Sequence, residues 1–222
     1  AVDGLVDFFA SYENEYGLLE NLDGWIFVEW SRANSEELVK GVNFPTNMLY
    51  AKMLSAVGEL YKISGFTEKA VKLKSIIRNR SLKGRYFTDH EHRTPKGWKN
   101  TGECTEVCQY YAFFSEVATW TEDRGLWEIL VREFGPERRT NNLHPEIAFT
   151  NAFIGNYLRI ELLYKAGLYD EVIANIRKYF LPMAKKTGTL WEHESPTGSC
   201  NHGFASYVIY WLAGIYGISS KE

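Results

Sequence analysis

The sequence has no run of basic residues. Its 25 Lys and Arg stand against 28 Asp and Glu for a formal net charge of −3, so it lacks the clustered cationic face that nucleic acid or an anionic membrane requires. No stretch approaches the roughly 18 apolar residues of a membrane-spanning helix, and no signal peptide is visible at the start. Cysteine is scarce: Cys104, Cys108 and Cys200 are odd in number, and the first two lie four apart, as neighbours on one helical face. They read as small buried thiols, because no further ligands are spaced to make a metal site with them. No cofactor is called for. An initial Met is also missing, since the chain opens at Ala1, and the expectation is that the natural protein extends further. The compartment stays open between periplasmic or secreted and cytoplasmic.

What the 222 residues do contain is enough apolar material, 45%, for one globular domain with a real core. Aromatics are abundant, with 14 Tyr, 13 Phe and 7 Trp making 15% of the chain. Such rings fill cores, and they also stack on the C–H faces of sugars.

The dominant period is helical. In 46–65 the apolar residues Leu49, Met53, Val57, Leu60 and Ile63 recur every three or four positions, with Gly65 as a stop, and 67–79 follows at once behind Thr67 as a candidate N-cap. The same device recurs as 103–120 with 123–134, and as 144–167, stopped at Gly167, with 169–180. A last helix at 204–217 is apolar nearly all round and is expected to be buried. Recurring helical hairpins signal stacked αα units. The predicted fold is all-α: an incomplete α/α toroid of seven helices, or eight counting 2–11, in inner and outer pairs. An open α-solenoid is the alternative on helix count alone.

The connections favour the toroid. Residues 12–43, 81–102, 135–143 and 183–203 form long loops that all enter the first helix of a hairpin, so they gather at one end of the inner layer. They carry "DGWIFVEW", "FTDHEHRTPKGWKN" and "TLWEHESPTGSCNHGF", where acids, histidines and Trp concentrate. Function-bearing loops on a rigid scaffold are the layout of an enzyme pocket. Pro196, Gly198 and Gly203 exclude a helix from the last of these. Paired carboxylates between aromatic walls are the equipment of glycoside hydrolysis, which needs an acid for the leaving oxygen and a base or nucleophile opposite.

"TLWEH", with "CNHGFAS" after it, resembles the Thr-x-Trp-Glu … Asn-His segment in the C-terminal half of the catalytic barrel of bacterial inverting α-L-rhamnosidases. "DGWIFVEW" is similar to that family's loop ending in Asp-Trp, "GECTEVCQYYAFF" to its Thr/Ser-Gln-x-x-Tyr helix, and "HPEIAFTNAFIGNYLRIELLYKAGLYDEV" to its following hairpin. The resemblance implies a six-hairpin α/α barrel of which 1–222 is a single C-terminal part, with the remainder of the parent chain as its partner. It implies Glu192 as the general base that activates water, and a rhamnose-containing oligosaccharide or glycoside as substrate. Glu29, Trp30, Trp191, Asn201 and His202 would bind that substrate, with Trp25 and Trp98 beside them. Glu29 stands where the family has Asp, and no segment here matches the family's general acid, so the isolated chain is expected to be inactive or nearly so.

Three other readings remain. An unsaturated glucuronyl hydrolase or polysaccharide lyase on the same scaffold would want cations at the mouth, where only Arg93, Lys96 and Lys99 stand. A carbohydrate-binding module without catalysis and an α-solenoid interaction scaffold are the others. The sequence further predicts that Trp25, Trp30, Trp98 and Trp191 cluster at one end, that Trp120, Trp127 and Trp211 pack structurally, and that Glu192 points into the cavity near His202 while Glu194 turns outward or caps a helix.

Overall fold

Asn43 starts the first long helix by accepting a hydrogen bond from the Thr46 amide at 2.9 Å, with Pro45 in the first turn where its missing N–H costs nothing. That helix, α3 (Phe44–Tyr61), ends at Lys62 in the left-handed region (φ 54°), not at Gly65. α4 (Ser64–Ser81) therefore begins before the expected cap at Thr67 and packs along α3. Gly58 permits the close crossing, since a Cβ there would stand 2.9 Å from the Thr67 amide. The computed structural model describes residues 2–151 and 153–218. Ahead of this hairpin lie α1 (Val2–Ala10) and the one-turn α2 (Glu36–Val39).

The second hairpin is shorter than its sequence period. α5 (Glu106–Phe114) starts behind Thr105, whose hydroxyl accepts from the Cys108 amide at 3.2 Å, because β6 (Cys104–Thr105) pairs in parallel with β7 (Ile147–Ala148). α6 (Arg124–Arg132) returns and buries Leu126, Ile129 and Leu130. The third hairpin is α8 (Phe153–Lys165) and α9 (Tyr169–Thr187), joined through Gly167 at φ 71°. The expected helix over 144–167 is thus shortened at its start, where residues 144–151 form turns and β7 and Ala152 lies outside the described residues. α9 runs past its expected end at 180, through Pro182, to a left-handed Gly188. α7 (Arg138–Asn141) is a single turn before β7.

α3, α5 and α8 pack side by side as an inner layer, with α4 and α9 behind their partners and α10 (Val208–Tyr216) against α8 and α9. The arrangement is an incomplete α/α toroid. Its core divides into a larger cluster around α3 and α5 and a smaller one that joins α8, α9 and α10 around Trp191 and Trp211. α10 departs from expectation: Val208 and Trp211 are buried, but Ile209, Tyr210 and Tyr216 are exposed.

The loop at 81–102 also departs from expectation by forming strands. β2 (Leu82–Lys83) pairs with β3 (Tyr86–Phe87), and β4 (His90–Thr94) lies between β1 (Val42–Asn43) and β5 (Gly97–Asn100). Polar strands such as 90-HEHRT-94 carry little apolar alternation, which is the signal that sequence reading relies on.

Candidate active site

The loops that precede the inner helices do meet at one end. Loop 12–43 reaches 81–102 through Arg93, which donates to Glu20 at 2.8 Å, and reaches 144–151 through Glu29 and Trp30. Tyr86 in turn bonds His144 at 2.7 Å. The segment 23-DGWIFVEW-30 turns at Gly24 (φ 83°), and the Val28 amide is fixed by Asn34 Oδ1 at 2.7 Å.

Glu29 is fully buried at 0% exposure. Its Oε1 accepts from Thr150 Oγ1 and from the Gly155 amide, each at 2.7 Å, so the carboxyl meets one of the unpaired amides in the first turn of α8. Burial pushes its pKa up, against these hydrogen bonds that lower it. The expected substrate-binding Glu29 thus lies beneath the surface next to Trp30, with its Oε2 buried and without a hydrogen-bond partner. Gly155 is required by the same close approach, since a Cβ there would overlap Thr150 Oγ1 and stand 2.5 Å from Glu29 Oε1. Gly155→Ala is expected to destabilise the chain by about 1–3 kcal/mol, the usual cost of overpacking, as measured by urea denaturation. An unchanged midpoint would disprove the contact.

Glu192 sits over Trp30. The indole Nε1 donates to its Oε1 at 2.8 Å and the Ser199 amide to its Oε2 at 3.4 Å, while its own amide bonds the Ser199 carbonyl at 2.9 Å and closes the 192–199 turn. The Trp30 hydrogen bond holds the Glu192 pKa below the ordinary carboxylate value, helped by Ser199 and by the fields of His202 and His193. Glu192 is partly exposed, and the donors that hold its carboxylate favour the anion. Glu194 leaves this group altogether and forms a two-pronged ion pair with Arg139, at 2.8 and 2.6 Å.

Asn151 ties the two loops together. Its amide group donates to the Trp30 carbonyl at 2.6 Å and its Oδ1 accepts from the Glu194 amide at 3.1 Å. His193 stacks on Trp30 with ring centres 5.9 Å apart. His202 lies 4.9 Å from the Phe153 ring, with Nδ1 buried and without a hydrogen-bond partner, and no hydrogen bond joins it to Glu192. Asn201 is exposed beside it, its backbone bonded to Ser199.

Of the four Trp expected to cluster, two do. Trp25, 72% exposed, lies 5.8 Å from Trp30, and Phe27 fills the corner between Trp30 and Phe153 at 4.8 and 5.9 Å. Trp98 is elsewhere, on β5, flanked by the guanidinium groups of Arg80 and Arg93. Trp191 is buried in the smaller core, its Nε1 donating to Thr187 Oγ1 at 2.7 Å. Both rings therefore stand apart from Trp25 and Trp30, one against two arginines and the other in apolar packing. Thr150, Asn151 and Phe153 escaped sequence reading because they sit inside a stretch whose period is that of a continuous helix. A cavity of about 370 Å³ opens beside Trp25 and Phe27, lined by Phe8, Leu22, Ile26 and Leu49 with Asp23 at its edge.

The fold has counterparts among solved structures. The GH78 family rhamnosidase of Bacillus sp. GL1 superposes with a TM-score of 0.76 at 18% identity, over 96% of this chain and 23% of that one. The chain has a rhamnosidase-type fold. A rhamnosidase from Klebsiella oxytoca, with rhamnose bound, superposes with a TM-score of 0.64 at 15% identity, over 96% of this chain and 40% of that one. The chain thus spans less than half the length of either enzyme, and at these identities the likeness is one of fold. No protein-family model and no curated protein sequence matches it. Within the rhamnosidase-type fold, the site lies at the ends of the inner helices, where α8 begins.

Proposed function

We propose that this chain is the C-terminal part of a glycoside hydrolase that cleaves terminal α-L-rhamnosides with inversion, and that it supplies the general base, Glu192. One observation carries the assignment. Of Glu29, Glu192 and Glu194, the first is sealed in the core and the third has both carboxylate oxygens engaged by Arg139, whereas Glu192 is partly exposed and is held by the neutral donors Trp30 Nε1 and the Ser199 amide, with no cation among the described residues bound to it. A base must be ionised at working pH, and the Trp30 N–H favours that form.

In the proposed reaction Glu192 takes a proton from water as the water attacks the anomeric carbon, and a carboxylic acid from the rest of the parent protonates the departing oxygen. Trp25, Phe27 and Trp30 offer ring faces to the apolar side of the sugar. The rival reading of an enzyme for acidic sugars is weaker here, because Arg93 is engaged by Glu15 and Glu20.

Two outcomes are expected. The intact parent hydrolyses an aryl α-L-rhamnoside and the 222-residue chain alone does not; substantial turnover by the short chain would sink the claim that its partner acid lies elsewhere. Trp30→Phe removes the donor that lowers the Glu192 pKa, so that pKa rises. Because the ionised form is the active one, the acid limb of the kcat/KM profile should then move to higher pH. A limb that stays put would assign it to another group.

A further inference from the structure

α8 is 13 residues long, so at about 1.5 Å per residue its C-terminal end lies almost 20 Å from the Glu192 site at its start. At that far end a second cavity, of about 410 Å³, opens between the ends of α5 and α8 and the turn that follows α5. Its walls are Phe113, Phe114, Trp120 and Leu162, and its rim carries Lys52, Lys165, Thr119 and Glu116. The proposed hydrolysis makes no use of it.

Three features give this cavity the form of a binding site. Trp120 stacks one side of its indole on Trp127, with centres 5.3 Å apart, and remains 42% exposed, so a ring face is presented on a fixed support. The ammonium groups of Lys52 and Lys165 both stand over Phe114, at 5.9 and 5.6 Å from its centroid. Each is anchored by one carboxylate, Lys52 by Glu116 at 2.9 Å and Lys165 by Glu161 at 2.9 Å, which leaves further N–H donors on both. Lys74 also binds Glu116, at 2.8 Å. Opposing the pull of burial, the two lysines bring the Glu116 pKa down to about 2, so it stays charged. Three ammonium groups against two carboxylates leave one positive charge beside an aromatic face. The backbone of Glu116 itself adopts φ 65°, a left-handed conformation that a non-glycine residue seldom takes.

We propose that this cavity binds a ring-bearing carboxylate, with its ring against Trp120 and its carboxylate between Lys52 and Lys165. The surplus charge selects the anion, and the indole face selects a flat or apolar ring surface. The same chemistry is offered by a uronic acid and by an aromatic acid.

The test is a titration of the 222-residue chain, followed by tryptophan fluorescence, with D-glucuronate, benzoate, D-glucose and benzyl alcohol. A saturable change with one or both carboxylates, and a weaker or absent one with the neutral partners, is the expected result. Which carboxylate binds distinguishes sugar from aromatic acid. Lys165→Gln, at a half-exposed position, should weaken that binding about two- to fivefold, the range of a single exposed charge contact, and Trp120→Ala should abolish it. Trp120→Ala can disturb the stack on Trp127, so Lys165→Gln provides the check that does not depend on folding. Neutral and charged ligands binding equally, no saturable change with either carboxylate, or a Lys165→Gln chain that binds as the parent sequence does would each overturn the proposal. Rhamnosidase activity plays no part in the readout.

Discussion

Replacing Glu192 by Gln in the intact parent is expected to lower kcat by on the order of 100-fold or more, the scale on which a positioned general base acts. The amide is close to isosteric and can still meet the Trp30 N–H through its oxygen, so folding and substrate binding should survive. What is lost is the capacity to take a proton from water. Glu194→Gln is the matched control: it weakens a partly exposed pair with Arg139, an interaction typically worth about 0–1 kcal/mol, and should leave kcat nearly unchanged. Steady-state kinetics of both variants decide the matter. A reversed order would show that Glu194, not Glu192, is the base.

Arg138→Met is expected to cause the largest loss of stability. Arg138 and Glu106 are both almost completely buried and paired at 2.9 Å. Arg138 Nη2 also donates to the carbonyls of His144 at 2.6 Å and Ile147 at 2.5 Å, while Glu106 accepts from the Gly135 amide at 3.0 Å and the Tyr110 hydroxyl at 2.5 Å. Removing the cation strands a carboxylate in the core, which costs about 3–5 kcal/mol. For a domain of this size that corresponds to a fall in Tm of roughly 6–20 °C. The double variant Arg138→Met/Glu106→Gln should recover part of the loss, because no buried charge is then left unpaired. A single variant that melts within about 2 °C of the parent sequence would show that the pair contributes little. The pair is joined to the proposed site through residues 144–151, the stretch that delivers Thr150 and Asn151 to Glu29 and Trp30.

Helices and their order were legible because period and punctuation are local. The apolar spacing of α3 and α4, the left-handed Gly167 between α8 and α9, and the inner position of α5 follow from patterns within a few turns. Element ends were less legible where distant segments compete. α5 and α8 both start late because β6 pairs with β7 about forty residues further along, a contact no local period records. The site shows the same division. Glu192 is separated from Glu194 only by the resemblance of "TLWEH" to the rhamnosidase segment, and its partner Trp30 stands 162 positions away. Nothing in the sequence around Glu29 records that the amide of Gly155, 126 positions on, donates to its Oε1. Trp98 and Trp191 carry no local mark that separates a ring on a binding wall from one packed against arginines or a core.

We propose the parent as an inverting rhamnosidase whose base is Glu192. The most direct test of this proposal is a proton NMR time course of the intact parent acting on a terminal α-L-rhamnoside, read before the released sugar mutarotates. The expected first product is β-L-rhamnose, formed by the parent and strongly reduced in Glu192→Gln. Release of α-L-rhamnose first, or no release of rhamnose at all, would contradict it.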